Sequence, residues 1–183
     1  MNANVAAKTR RRLEMQGFTG HDDNTLRQIR GWLRAGPEVC GIWMAIGLWQ
    51  RSPGVIAAVA IFAALGTILP AHPLDVFYNQ VIRRWRGGPQ IPRYGRARRF
   101  SCAMAASTAG LAALALNCGS IEIAFVLGCA FMAATMMNVT TDFCPGAWIY
   151  SGVCRIRENA EAGAGLAVGS GKHGPDSAAS CSR

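Results

Sequence analysis

The sequence predicts an all-α membrane protein: four transmembrane helices in two related helical hairpins, with both termini on the inner side (N-in/C-in). Three observations carry that reading. Hydrophobic residues make up 51% of the 183-residue chain and charged residues only 16%, where a soluble domain carries about a quarter. The charges are segregated: only Glu38 and Arg51 occur between Glu38 and Leu69, and only Glu122 between Phe100 and Thr141. Every Lys and Arg except Arg51 falls before the first predicted helix, between the hairpins or after the last helix. By the positive-inside rule those three regions are cytoplasmic.

Residues 1–35 read as a cytoplasmic basic segment without the apolar core of a signal peptide. Within it, Asp22-Asp23-Asn24 are helix-capping candidates. The stretch Thr25–Leu33 sets Leu26, Ile29, Trp32 and Leu33 on one face and Arg27, Arg30 and Arg34 elsewhere. That pattern fits a helix lying on the inner membrane surface or a continuation of the first span, and both readings stay open. Residues 36–158 form the transmembrane domain. A helix needs about 17–25 apolar residues to cross roughly 30 Å of hydrocarbon. Val39–Trp49 followed by Gly54–Leu69 is too long for one span, and Arg51-Ser52-Pro53 is a turn signal. The first hairpin is therefore about 36–70, its first helix starting near Gly36. Asn117-Cys118-Gly119-Ser120 divides the next apolar block into about Phe100–Leu116 and Ile121–Val139, a second hairpin at about 100–139. Two long re-entrant segments are the competing count. The basic, proline-punctuated loop 80–99 is not expected to fold alone. Residues 159–183, rich in Gly, Ala and Ser, read as a disordered cytoplasmic tail.

Each hairpin is followed by a similar stretch. His72-Pro-Leu-Asp-Val-Phe-Tyr-Asn-Gln-Val-Ile-Arg83 and Cys144-Pro-Gly-Ala-Trp-Ile-Tyr-Ser-Gly-Val-Cys-Arg155 share Pro73/Pro145, Tyr78/Tyr150, Val81/Val153 and Arg83/Arg155. If the two units pack about a pseudo-two-fold axis along the membrane normal, as parallel repeats in transport proteins do, His72 and Cys144 face each other at the cytoplasmic mouth. Asp75 and Asp142 lie close by in sequence. Thiolate, imidazole and carboxylates together suit a ligand, a divalent metal or a Cys–His nucleophile pair. The ligand or metal candidates are thus His72, Asp75, Asp142 and Cys144, with His72 and Cys144 the pair for metal.

Plainer readings stand beside these. His-Pro and Cys-Pro at helix ends act as caps and stops. Tyr78, Tyr150, Trp85 and Trp148 suit interfacial anchors, and Arg83 and Arg155 suit headgroup contacts. The seven cysteines include no CxxC, so neither a thioredoxin-type pair nor a zinc ribbon is written here. Cys40, Cys102 and Cys129 read as packing residues. Glu122 reads as a first-turn residue more readily than as an intramembrane acid.

With His72-Pro-Leu-Asp-Val-Phe-Tyr-Asn79, Pro92-Arg93, Arg98-Arg99-Phe100-Ser-Cys102 and Phe143-Cys144-Pro with Ile149-Tyr150, the chain resembles a bacterial family of small polytopic membrane proteins. That family is grouped only as a domain of unknown function, with a His-Pro-Phe-Asp-x-x-Tyr-Asn motif and a Cys near the end of the last span. The resemblance covers about Leu26 to Arg157 and points to His72, Asp75, Tyr78, Asn79 and Cys144. Leu74 stands where the motif has Phe. The resemblance implies a multi-pass protein of the bacterial inner membrane and supplies no activity.

Three functions fit. The first is an accessory protein that holds a partner or small ligand at its cytoplasmic face without turnover. The second is a thiol- or metal-dependent protein using Cys144 and His72. The third is a small-solute transporter, which the scarcity of intramembrane polar groups disfavours. No motif indicates a cofactor. Net charge +9 follows from the inner-side bias and calls for anionic lipid headgroups rather than nucleic acid as partner. Another membrane protein or a second copy of the chain also remains open.

Overall fold

The computed structural model describes residues 3–18, 23–69, 72–92 and 94–167, and every regular element among them is helical. In order these are α1 (Ala3–Met15), α2 (Asp23–Trp49), α3 (Pro53–Ile68) and α4 (Pro73–Phe77). A π-helical turn (Tyr78–Ile82) leads into α5 (Arg83–Arg86), followed by α6 (Arg96–Asn117), α7 (Ile121–Thr141) and α8 (Pro145–Ala167).

Both expected turns form, each for a local reason. Between α2 and α3, Arg51 takes a left-handed conformation (φ 48°). Ser52 Oγ then accepts from Val55 N at 3.4 Å, and Pro53 opens α3, where a missing N–H costs nothing. Between α6 and α7, Gly119 supplies the positive φ (79°). By length and composition α6 and α7 can each cross a membrane, and α3 with Pro73–Trp85, bent by 66° at the break between them, makes a third if the bent pair is counted as one span. At 16 residues, α3 alone is below the usual length of about 17–25.

The four long apolar segments pack as one bundle, α3 on α6, α2 on α7, α6 on α7 and α2 on α3. Its core joins Cys40, Met44 and Leu48 of α2 with Ile56 and Val59 of α3, Ala109, Ala112 and Ala113 of α6, and Phe131 of α7. Small residues bring the backbones close, as bundles in lipid require. A Cβ added at Gly128 would stand 2.5 Å from Leu48 Cδ1. The outer face carries many exposed apolar side chains, Ile42, Ile61, Leu111, Leu114, Ile123 and Val126 among them, which calls for an apolar surrounding.

A second core sits at one end of the bundle. Leu13 and Phe18 pack there on Leu26, Ile29 and Leu33 of α2 and on Tyr78, Ile91 and Tyr94. This explains several departures from the sequence reading. α2 does not start near Gly36: it is continuous from Asp23, because Leu26, Ile29 and Leu33 are buried by protein rather than laid on a membrane. Asp22 lies outside the described residues, and Asp23 and Asn24 are helical. The 35/36 boundary therefore falls inside a helix. The basic loop, not expected to fold alone, is held by this second core, since Ile91, Tyr94 and Arg98 are buried. Tyr78 is no interfacial anchor: it is buried, with its ring centroid 4.7 Å from that of Trp32. Helix α8 carries the chain in order to Ala167, past the expected start of the tail at 159, and residues 168–183 lie outside the described residues.

Candidate functional site

Both repeat heads start helices instead of stopping them. His72 precedes Pro73 at the first position of α4, and its carbonyl accepts from Val76 N at 3.0 Å. Cys144 precedes Pro145 of α8, and its carbonyl accepts from Trp148 N at 3.1 Å. Proline belongs at such positions because the first helical N–H groups have no partner anyway. The two heads sit at equivalent places, each just past the end of a long apolar helix.

His72 and Cys144 line one cavity of about 300 Å³, at the end of the bundle nearest the second core. Gln16, Tyr94, Arg98 and Ser101 stand on the wall with them, and Met104, Ala105, Ala130, Phe131 and Ala134 form an apolar side that Thr108, Thr135 and Asn138 interrupt. The His72 ring rests between two glycines: a Cβ at Gly36 would meet Nδ1 at 3.6 Å, and one at Gly66 would meet Cδ2 at 3.0 Å. Phe62 meets the ring edge-on at 4.8 Å. Nδ1 is buried without a hydrogen-bond partner. Burial, with the Arg98 charge adding to it, pushes the imidazole down to about 4, so it is neutral at pH 7. The Cys144 thiol is free and donates to Ser101 Oγ at 3.1 Å. Gly146 permits this contact, because a Cβ there would stand 2.8 Å from Ser101 Cα.

Arg98 organises the site, and sequence reasoning had left it among the loop cations. Pro37 lies inside α2 and has no N–H to give the carbonyl of Leu33, one turn back. Arg98 Nη2 donates to that carbonyl at 2.8 Å, and Nη1 donates to Gln16 Oε1 at 3.1 Å. The guanidinium also lies 4.5 Å from the Tyr94 ring centroid and 5.3 Å from that of Phe18. A proline within an apolar helix was the available signal: its orphaned carbonyl demands a donor from elsewhere in the chain.

The two carboxylate candidates are not on the cavity wall. Asp75 is buried and accepts from the Tyr94 hydroxyl through Oδ2. Burial pushes its carboxyl up, against the opposing pull of Arg98 and of that hydrogen bond. Asp142 ends α7 in a left-handed conformation (φ 55°). Its carboxylate accepts from Arg30 Nε at 2.9 Å and from Arg34 Nε at 2.8 Å. Burial alone would raise its pKa, but the bonds from Arg34 and Arg30 outweigh it and hold the group below the usual carboxylate range. Gln16 Nε2 donates to the Asp142 carbonyl at 2.8 Å, and Arg12 donates to that of Thr141. α1 is thereby fastened to the end of α7, where cations suit the helix dipole.

The other singled-out residues lie away from the cavity wall. Asn79 clamps the loop, accepting from Ile91 N at 3.0 Å and donating to its carbonyl at 3.1 Å. Arg83 donates to Gly88 O at 3.3 Å. Tyr150 packs on Phe100 with centroids 5.6 Å apart, and Arg155 is exposed. Among the described residues no group of three or more His, Cys, Asp or Glu is disposed to hold a metal ion.

No curated protein and no solved structure matches the chain. A family does match, over residues 31–155, a stretch that holds both repeat heads, Arg98 and Asp142. The chain belongs to that family, described as Domain of unknown function (DUF4395).

Proposed function

We propose that this is a multi-pass inner-membrane protein that binds a small ligand, without turnover, in the cavity at the cytoplasmic end of its bundle. One observation carries the reading. Gln16, His72, Arg98 and Cys144, from four separate stretches of chain, converge on a cavity whose remaining wall is largely apolar, the usual composition of a ligand site. In this reading α2–α3 and α6–α7 are two spanning hairpins. The cavity and the Arg-rich segments share the inner end, and Arg51 marks the outer one. Exposed Phe77, Val81 and Trp85, and exposed Ile149, Val153 and Ile156, recur at about one helical turn beyond the two repeat heads. Flanked by Arg83, Arg84 and Arg155, they suit amphipathic arms on the inner leaflet, with anionic headgroups as partner.

Native mass spectrometry of the detergent-purified protein beside Ala134→Trp tests the reading. A bound small mass in wild type, absent when the cavity is filled, supports it. A wild type that carries no such mass, from any membrane extract it is offered, sinks it.

A second reading has its own observation. Cys144 presents a free thiol to the same cavity as His72, with Cys40 and Cys102 also on the wall, which fits a thiol- or metal-dependent protein. Elemental analysis and absorbance of wild type, Cys144→Ser and His72→Ala separate the two. Stoichiometric metal or haem lost from both variants favours the second reading, and none in any sample favours the first. Solute transport draws least support, because the bundle core beyond the cavity is lined by apolar side chains.

A further inference from the structure

We propose that the occupant is a single-chain amphiphile with an anionic head, which enters sideways from the bilayer between α6 and α7 and sets its head on Arg98 and His72. The inference rests on the cavity being a ligand site and names the class of ligand.

The head follows from charge. Arg98 is 6% exposed, and a buried cation is costly unless paired. The acids Glu14, Asp23 and Asp142 are paired with Arg10, Arg30 and Arg34, and Arg98 forms no ion pair with them. Its hydrogen bonds go to neutral acceptors, and two aromatic rings lie against it. Asp75 is a nearby acid whose charge favours the guanidinium, but its hydrogen bond comes from Tyr94 and it is not on the cavity wall. His72 Nδ1, buried and unpartnered, adds an unused polar atom beside the same cavity. A carboxylate or phosphate head would supply both the counter-charge and the acceptors that a guanidinium fork matches.

The route and the tail follow from shape. On the water side Gln16 closes the cavity, 3% exposed and bonded to both Asp142 and Arg98. On the other side Met104 and Ala130, both exposed on the apolar outer face of α6 and α7, form part of the wall. Ala105 and Ala134, both small, line the same side. A volume of about 300 Å³ is at the small end of the roughly 300–1,000 Å³ of ligand pockets, space for one alkyl chain rather than two.

The test is photolabelling of the full chain in phosphatidylcholine vesicles. The probes are a long-chain fatty acid, the matching alcohol and phosphatidylglycerol, each with a diazirine in its chain. The expected result is labelling of residues 104–108 and 130–135 by the acid about tenfold above the alcohol, the scale of one charge-assisted contact. Ala134→Trp should abolish that labelling, and Arg98→Gln should bring the acid down to the alcohol. Arg98 also holds Leu33 and Gln16, so if Arg98→Gln fails to fold, the acid-to-alcohol ratio in wild type decides. Equal labelling by acid and alcohol overturns the anionic head and leaves the ligand site standing. Preference for phosphatidylglycerol overturns the single chain. No labelling of these segments by any probe overturns the whole inference, and the bound mass sought above then judges the ligand site separately.

Discussion

Replacing Asp142 with Asn removes one charge and leaves the backbone alone, because Asn tolerates the left-handed φ of 55° nearly as well as Asp. The carboxylate is 4% exposed and accepts from Arg30 and Arg34, whose side chains are 36% and 26% exposed. Breaking a fully buried pair costs about 3–5 kcal/mol, and exposed pairs contribute about 0–1. With the acid buried and the cations half-wet, about 2–3 kcal/mol is expected for Asn. For Ala the left-handed strain adds roughly 1 kcal/mol. A chain of this size loses about 2–4 °C in Tm per kcal/mol, so thermal unfolding in detergent at pH 7 should show Asp142→Asn about 5–10 °C below wild type, and Ala lower still. The pH dependence fixes the cause. The folded pKa is depressed, so the stabilisation is fully present above the unfolded value of about 3.9 and is lost as pH falls through the folded one. The gap between wild type and Asn should hold from pH 8 to about 5 and close below about 4. A gap under about 2 °C, or one unchanged at pH 3, would refute the ion-pair account.

Three further outcomes follow. His72 titrates the other way: burial lowers it to about 4 from about 6.5 unfolded, so wild type should lose up to about 3 kcal/mol as pH falls from 6.5 to 4. His72→Leu should flatten that limb of the stability curve. Gly146→Ala should destabilise by about 1–3 kcal/mol, because its Cβ meets the Ser101 backbone at 2.8 Å, whereas Gly152→Ala, with nothing within 4 Å, should be neutral or stabilising by about 0.5–1 kcal/mol; equal melting points would remove the close-approach argument. Asn79→Ala should cost about 1–3 kcal/mol and speed proteolysis of the loop at 87–95, since both ends of the Asn79 amide hold Ile91; unchanged cleavage would count against that clamp.

The helices were legible where the chain is monotonous. Long charge-free runs interrupted by Arg51-Ser52-Pro53 and by Asn117 to Ser120 leave few alternatives to helices joined by tight turns. The repeat heads were legible because a proline after a polar residue stands out beside an apolar run. The second core was not, since Leu26, Ile29 and Leu33 present the same stripe to a membrane surface as to Tyr78 and Ile91. Local pattern cannot say which apolar neighbour wins. The pairing of Asp142 with Arg30 and Arg34 was hidden for a different reason, being a contact across more than a hundred residues that no local spacing encodes. Arg98 was obscured by company: it lies among Arg96, Arg99 and other loop cations, and only the fold turns it inward.

The span of the Asp142 contacts has a consequence for how the chain is made. Synthesis delivers the N-terminal segments first, so Arg30 and Arg34 emerge long before their acid. Until α7 has been made, that carboxylate is missing from the chain and neither arginine can be paired with it. Only when α7 is complete does Asp142 arrive to neutralise them, with Gln16 and Arg12 closing over the same helix end. The contact that fastens this helix end is therefore among the last that the growing chain can make.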